Sequence, residues 1–66
     1  TFKKMDDRIL SYLQKKKVAI GSYDLYITHE DIAQDLGTAR VVVSRVLKKL
    51  EKEDLIELGR NRITLL

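Results

Sequence analysis

Between Thr38 and Leu50 the chain carries four cations, Arg40, Arg45, Lys48 and Lys49, and no acid. Between Asp24 and Asp35 it carries four acids, Asp24, Glu30, Asp31 and Asp35, and no Lys or Arg. Segregation of this kind turns one face toward an anion and another away from it. Arginine is shaped to read guanine O6 and N7, and lysine suits phosphate oxygens. Covalent and metal chemistry have little to work with. There is one histidine, His29, no cysteine and no glycine-rich phosphate loop, so a nucleophile–base pair, a thiolate zinc site and a disulfide framework are all missing. Ser44 has no base at a sensible helical spacing, and the carboxylates sit among lysines. The expectation is a protein that is not an enzyme and has no cofactor or metal. The total charge of +3, from 13 basic and 10 acidic residues, says less than its distribution.

The elements that must position these cations follow from spacing. Sixty-six residues make one domain, 1–66, with a core that has to be compact. Phe2, Met5, Ile9 and Leu13 recur at helical intervals, with Leu10 and Tyr12 beside them, which predicts a helix from Phe2 to Lys17. Lys15, Lys16 and Lys17 then complement the macrodipole at its end. Gly21 and Ser22 break the pattern, and Tyr23–Ile27 alternates as a short strand. Thr28 with Asp31 three residues on resembles a capping box, with Asp in place of the usual Glu or Gln, and opens a helix from about His29 to Asp35 that buries Ile32, Ala33 and Leu36. Gly37 stops it by accepting a positive φ. Thr38 is expected to cap the next helix, which runs to about Lys52 and buries Val43, Val46, Leu47 and Leu50. Leu55–Leu58 and Arg62–Leu66 read as strands joined through Gly59-Arg60-Asn61 into a hairpin. No apolar run approaches the roughly 20 residues that span a bilayer, and no signal-peptide pattern opens the chain. The absence of Cys fits a reducing cytoplasm. Thr1 in place of Met fits an excised fragment as well as a processed start.

Two helices joined by a tight glycine turn, with small Ala33 four residues before Gly37, make a helix-turn-helix whose second helix enters the DNA major groove. At about 100° per residue, Val41 lies about 160° and Arg45 about 200° from buried Val43. Lys48 also falls opposite the stripe, Ser44 lies on the flank, and Arg40 sits in the first turn. The outward side is therefore Arg40, Val41, Ser44, Arg45 and Lys48.

The stretch ITHEDIAQDLGTARVVVSRVLKKLEKEDLIELGRNRITLL, Ile27 to Leu66, resembles the helix-turn-helix and wing of the Crp/Fnr family of bacterial transcription regulators. It shares their Thr-led helix, Ile-Ala, Leu-Gly, an early Arg in the next helix, Val-Ser-Arg, a Leu-x-x-Leu-Glu run and a terminal hairpin. The resemblance implies an α+β winged helix in the order helix, strand, helix, helix, hairpin. It implies sequence-specific binding of double-stranded DNA by a domain at the C-terminus of a longer regulator. Partners would be a homodimer mate in the full-length protein and RNA polymerase, with no membrane. It makes Arg40 and Arg45 base-reading or phosphate-contacting, Ser44 a helix-face contact and Thr28 a phosphate contact. Two departures stand out. Family members often carry Glu where this chain has Val41, which removes a cytosine acceptor and leaves a methyl contact to thymine. They also often carry Gly where this chain has Asp54, so the end of the second helix is expected to differ locally.

Plainer readings exist for each residue. Arg40 and Arg45 in an arbitrary helix would be solvated charges; within this motif DNA contact is preferred. Lys48 and Lys49 divide evenly between phosphate contact and solvation. Arg60 and Arg62 flank the hairpin tip, where a wing reaching the DNA backbone is preferred over a solvated turn. His29 is either a polar first-turn residue or a phosphate contact at a helix N-terminus. The rival function is a winged helix used for protein contact, which calls for an exposed apolar patch rather than a basic face.

Overall fold

Ile9 and Leu13, one helical turn apart, are fully buried, and they seat the first helix, α1 (Lys4–Ile20), on the rest of the chain. The computed structural model describes residues 4–66, so Phe2, expected at the start of that stripe, lies outside the described residues. α1 runs on past the expected end at Lys17 to Ile20, because Val18, Ala19 and Ile20 contain no helix breaker. The Gly21 N–H then donates to the Lys17 carbonyl at 2.8 Å.

After α1 come β1 (Asp24–Leu25), α2 (His29–Leu36), α3 (Arg40–Lys52), β2 (Ile56–Gly59) and β3 (Arg62–Leu65). This is an α+β winged helix-turn-helix. The hairpin strands β2 and β3 pair antiparallel with Gly59 opposite Arg62, and β1 adds to the other edge of β3, giving the order β1-β3-β2. The strand expected over Tyr23–Ile27 therefore has only two residues, Asp24 opposite Thr64 and Leu25 opposite Ile63. Beyond Leu25 the chain must leave the sheet so that Thr28 can begin α2. A Thr64 Oγ1 donation to Asp24 Oδ1 at 2.8 Å reinforces the short pairing.

α2 opens with the expected capping box. Thr28 Oγ1 accepts from the Asp31 N–H and Asp31 Oδ2 accepts from the Thr28 N–H, each at 3.1 Å. It closes at Gly37, whose φ of 67° is the left-handed conformation. Gly37 N–H donates to Gln34 O and Thr38 N–H to Ala33 O, the paired bonds of a Schellman close. Those bonds correct the expected start of α3. Thr38 is the last residue of the α2 cap, and the residue that enters α3 is Ala39, with no side-chain cap.

The far end of α3 repeats the device without glycine. Asp54 takes φ 61°, its N–H donates to Glu51 O at 3.0 Å, and Leu55 N–H donates to Leu50 O at 3.1 Å. Aspartate thus occupies the left-handed position itself, a conformation it tolerates less well than glycine. Ile32, Val43, Leu47, Ile56 and Ile63 join Ile9 and Leu13 in the core with no residual exposure beyond 1 %. Burying an aliphatic side chain of this size contributes about 1.5–3 kcal/mol. Ala33 is buried as expected, whereas Leu36 is only half-buried at the helix end.

Polar pins hold α1 to the helix-turn-helix. Arg8 donates to the Leu36 carbonyl at 3.1 Å, satisfying an orphan acceptor at the end of α2. Tyr12 donates to Asp35, and burial together with that carboxylate pushes the phenol pKa well above its usual value. Glu51 accepts from the Leu58 N–H at 3.0 Å and ties α3 to β2.

Candidate nucleic-acid interface

With Val43, Val46, Leu47 and Leu50 turned into the core, α3 leaves Arg40, Val41, Arg45 and Lys48 exposed along its other side. Val41, 65 % exposed, is the apolar member of that side. Lys49 does not join this side. Its Nζ sits 2.8 Å from Asp6 Oδ2 on α1. That hydrogen bond, with the Asp6 charge, raises the ammonium pKa.

Beside the exposed side of α3 lies a cleft of about 380 Å³ formed by the start of α2, the first turn of α3 and the hairpin tip. Thr28, His29, Glu30, Arg40, Asn61 and Arg62 supply its polar lining. Arg62 does not extend into solvent from the hairpin but folds back across Gly59. A Cβ on Gly59 would stand 3.0 Å from both Arg62 Nε and Nη2, so the glycine is what lets the guanidinium lie flat there. Arg62 Nε is buried with no hydrogen-bond partner among the described residues. The folded-back side chain nonetheless keeps Arg62 in the lining of the cleft. Arg60, in the turn itself, is exposed, and Asn61 takes the left-handed φ of 51° that closes the turn.

His29 bridges the cleft and α3. Its Nδ1 is 2.8 Å from Ser44 Oγ, and both side chains are half-buried. Burial first, and the Arg40 guanidinium second, hold the imidazole pKa below the usual histidine value, so the ring is neutral at pH 7.

The Crp-like helix-turn-helix domain model matches residues 7–66. The chain belongs to this family. Among solved structures, one described as a transcriptional regulator of the Crp/Fnr family from Eubacterium rectale ATCC 33656 is 39 % identical, with a TM-score of 0.94 over 100 % of this chain and 31 % of its own. The Thermus thermophilus catabolite activator protein is 30 % identical, with a TM-score of 0.83 over 98 % of this chain and 30 % of its own. No match is found among the curated proteins. The chain thus spans about a third of the length of these two regulators. Family model and neighbours together make it a Crp-like helix-turn-helix domain.

In this Crp-like domain the residues singled out in the sequence fall into two groups in space. Arg40, Val41, Arg45 and Lys48 share the exposed side of α3. Thr28, His29, Arg40 and Arg62 line the cleft, with Arg40 common to both. Ser44, expected on the outward flank and without a neighbouring base, is turned partly inward to the imidazole of His29, which helix docking brings to it from 15 residues away in the chain. The cleft also holds residues not singled out, Glu30, Asn61 and Gly59. Gly59 was legible only as a turn residue, because the arginine that crosses it is positioned by strand pairing. No helix among the described residues is long and apolar enough to cross a membrane.

Proposed function

We propose that this domain binds duplex DNA sequence-specifically, with α3 in the major groove and the α2–wing cleft against the phosphate backbone. The observation that carries it is the sharing of Arg40 between an exposed α3 side with no acid before Glu51 and a cleft that His29 and Arg62 also line. Arg45 reads a guanine edge and Val41 presents methyl groups to a thymine. Arg40, Lys48, Arg60, Arg62, Thr28 and His29 meet phosphates, and Ser44 contacts a base from the flank of the helix. The solved regulators are about three times as long as this chain. The same reading extends to a longer protein that binds as a homodimer to half-sites one helical turn, about 10 bp, apart.

Fluorescence anisotropy on a labelled duplex over a salt series tests it. With Arg40, Lys48, Arg60 and Arg62 on phosphates, the log–log slope for one domain is about −3.6. A flat salt response rejects groove binding. A second, protein-facing use of the domain draws on a different surface. Val18, Ile20, Tyr23 and Tyr26, at the end of α1 and around β1, are each more than half exposed. That apolar surface lies on elements other than α3, so the two uses do not compete for the same residues.

A further inference from the structure

His29 and Ser44 lie on different helices, and the 2.8 Å bond between Nδ1 and Oγ commits one ring nitrogen, while Nε2 has no hydrogen-bond partner among the described residues. The imidazole also lines the cleft between α2, α3 and the wing. The direction of the shared proton decides what each side chain offers. If Ser44 donates to Nδ1, Nε2–H is a donor toward the cleft, but Ser44 shows the DNA only a lone pair. If Nδ1–H donates to Ser44, the hydroxyl hydrogen is free for a base acceptor, but neutral Nε2 is itself an acceptor and repels a phosphate oxygen. Only the imidazolium provides both donors at once.

We propose that His29 takes up a proton from solvent as the domain binds DNA, its Nδ1–H donating to Ser44 Oγ and its Nε2–H to a backbone phosphate. The hydroxyl hydrogen of Ser44 then points outward as a donor to a base acceptor. This rests on the DNA-binding reading above. His29 is thereby a phosphate contact and the positioning residue for Ser44, so that base readout at one position depends on the protonation of a residue on the other helix.

The charges around the ring decide the direction of the effect. Arg40 on α3 and Arg62 on β3 line the same cleft and oppose a third positive charge, while Glu30 on α2 favours it. Asp31, also on α2, is held in the capping box with Thr28. In the free domain burial and Arg40 prevail, and the imidazole is neutral near pH 7. A phosphate in the cleft reverses the balance, because it neutralises the two guanidinium groups and accepts a charge-assisted bond from Nε2. The pKa is then higher in the complex than in the free domain. The affinity gain is complete below the free-domain pKa and is lost as pH rises through the pKa of the complex.

The test uses this chain and a fluorescein-labelled duplex recovered from a randomised pool, at fixed ionic strength from pH 5.5 to 8.5. The wild-type Kd is expected to fall as pH is lowered, by at most about tenfold per pH unit. Calorimetry at pH 7 in two buffers of different ionisation enthalpy is expected to show net proton uptake on binding. His29→Gln keeps a side chain able to bond Ser44 but cannot titrate. It is expected to stay folded by circular dichroism, bind with a flattened pH profile and take up no proton. Ser44→Ala is expected to lose base preference at one position of the selected site. Wild-type binding with no proton uptake and a pH profile matching His29→Gln overturns the proposal, as does uptake that persists undiminished in His29→Gln. A chain that binds no duplex at any pH overturns the DNA-binding reading instead.

Discussion

Replacing Asp54 by glycine should make this domain more stable, although aspartate already occupies its place without visible distortion. Asp54 is exposed and has φ 61°, and the two Schellman bonds that end α3 depend on that conformation. An L-residue in the left-handed region costs about 1–2 kcal/mol, with Asp toward the lower end because its short polar side chain bonds locally. Glycine removes that cost but brings roughly 0.5–1 kcal/mol of extra backbone entropy to be lost on folding. An aspartate charge also opposes the negative end of the helix dipole, so its removal acts in the same favourable direction. The net gain should be about 0.5–1 kcal/mol. For a domain of this size that is a rise of about 2–8 °C in Tm. Thermal and urea unfolding followed by circular dichroism, with Asp54→Ala as a companion, measure it. Alanine keeps the left-handed penalty and loses the polar side chain, so it should lower Tm. An unchanged or lower Tm for Asp54→Gly would show that aspartate is not strained there and that the cap draws its stability from elsewhere.

Arg45→Ala should cost about 1–3 kcal/mol on the best site and relax preference at one base pair, whereas Lys48→Ala should weaken all sequences alike. Selection on both variants separates them, and a uniform loss for Arg45→Ala would remove its base-reading role. Val41→Glu should introduce a cytosine preference at the step that faces the start of α3. If selection returns the same motif for Val41→Glu and wild type, Val41 does not face a base and α3 is not placed in the groove as proposed. Gly59→Ala should leave the fold intact, because the atoms in its way belong to the flexible Arg62 side chain. It should shift that guanidinium by a few tenths of an ångström and weaken DNA binding by less than Arg62→Ala does. Anisotropy titrations of Arg62→Ala equal to wild type would show that the folded-back arginine makes no contact.

Local chemistry made much of this protein legible. The Thr28–Asp31 capping box, the left-handed Gly37 and the buried stripe of α3 each depend on residues within a few positions of one another. The exposed side of Arg40, Val41, Arg45 and Lys48 follows from the same helical period. What the sequence could not show depends on groups brought together from far along the chain. Whether Thr38 caps α3 or closes α2 turns on which backbone bonds the tight turn makes, and the bond to Ala33 O settles it. Lys49 looks equivalent to Lys48 by period, yet Asp6, 43 residues away, takes it out of the basic face. The length of β1 is decided by its competition with the start of α2 for the same few residues. His29 and Ser44 each have ordinary local roles and acquire a joint one only when two helices dock 15 residues apart in the chain. Arg62 reads as a wing residue reaching outward to the DNA backbone, and only strand pairing sets it opposite a glycine that leaves room for it to lie down. Spacing along one helix or turn is set by backbone geometry and can be read from residue order. Which side chains meet across elements is set by packing of the whole core, and that exists only once the chain has folded.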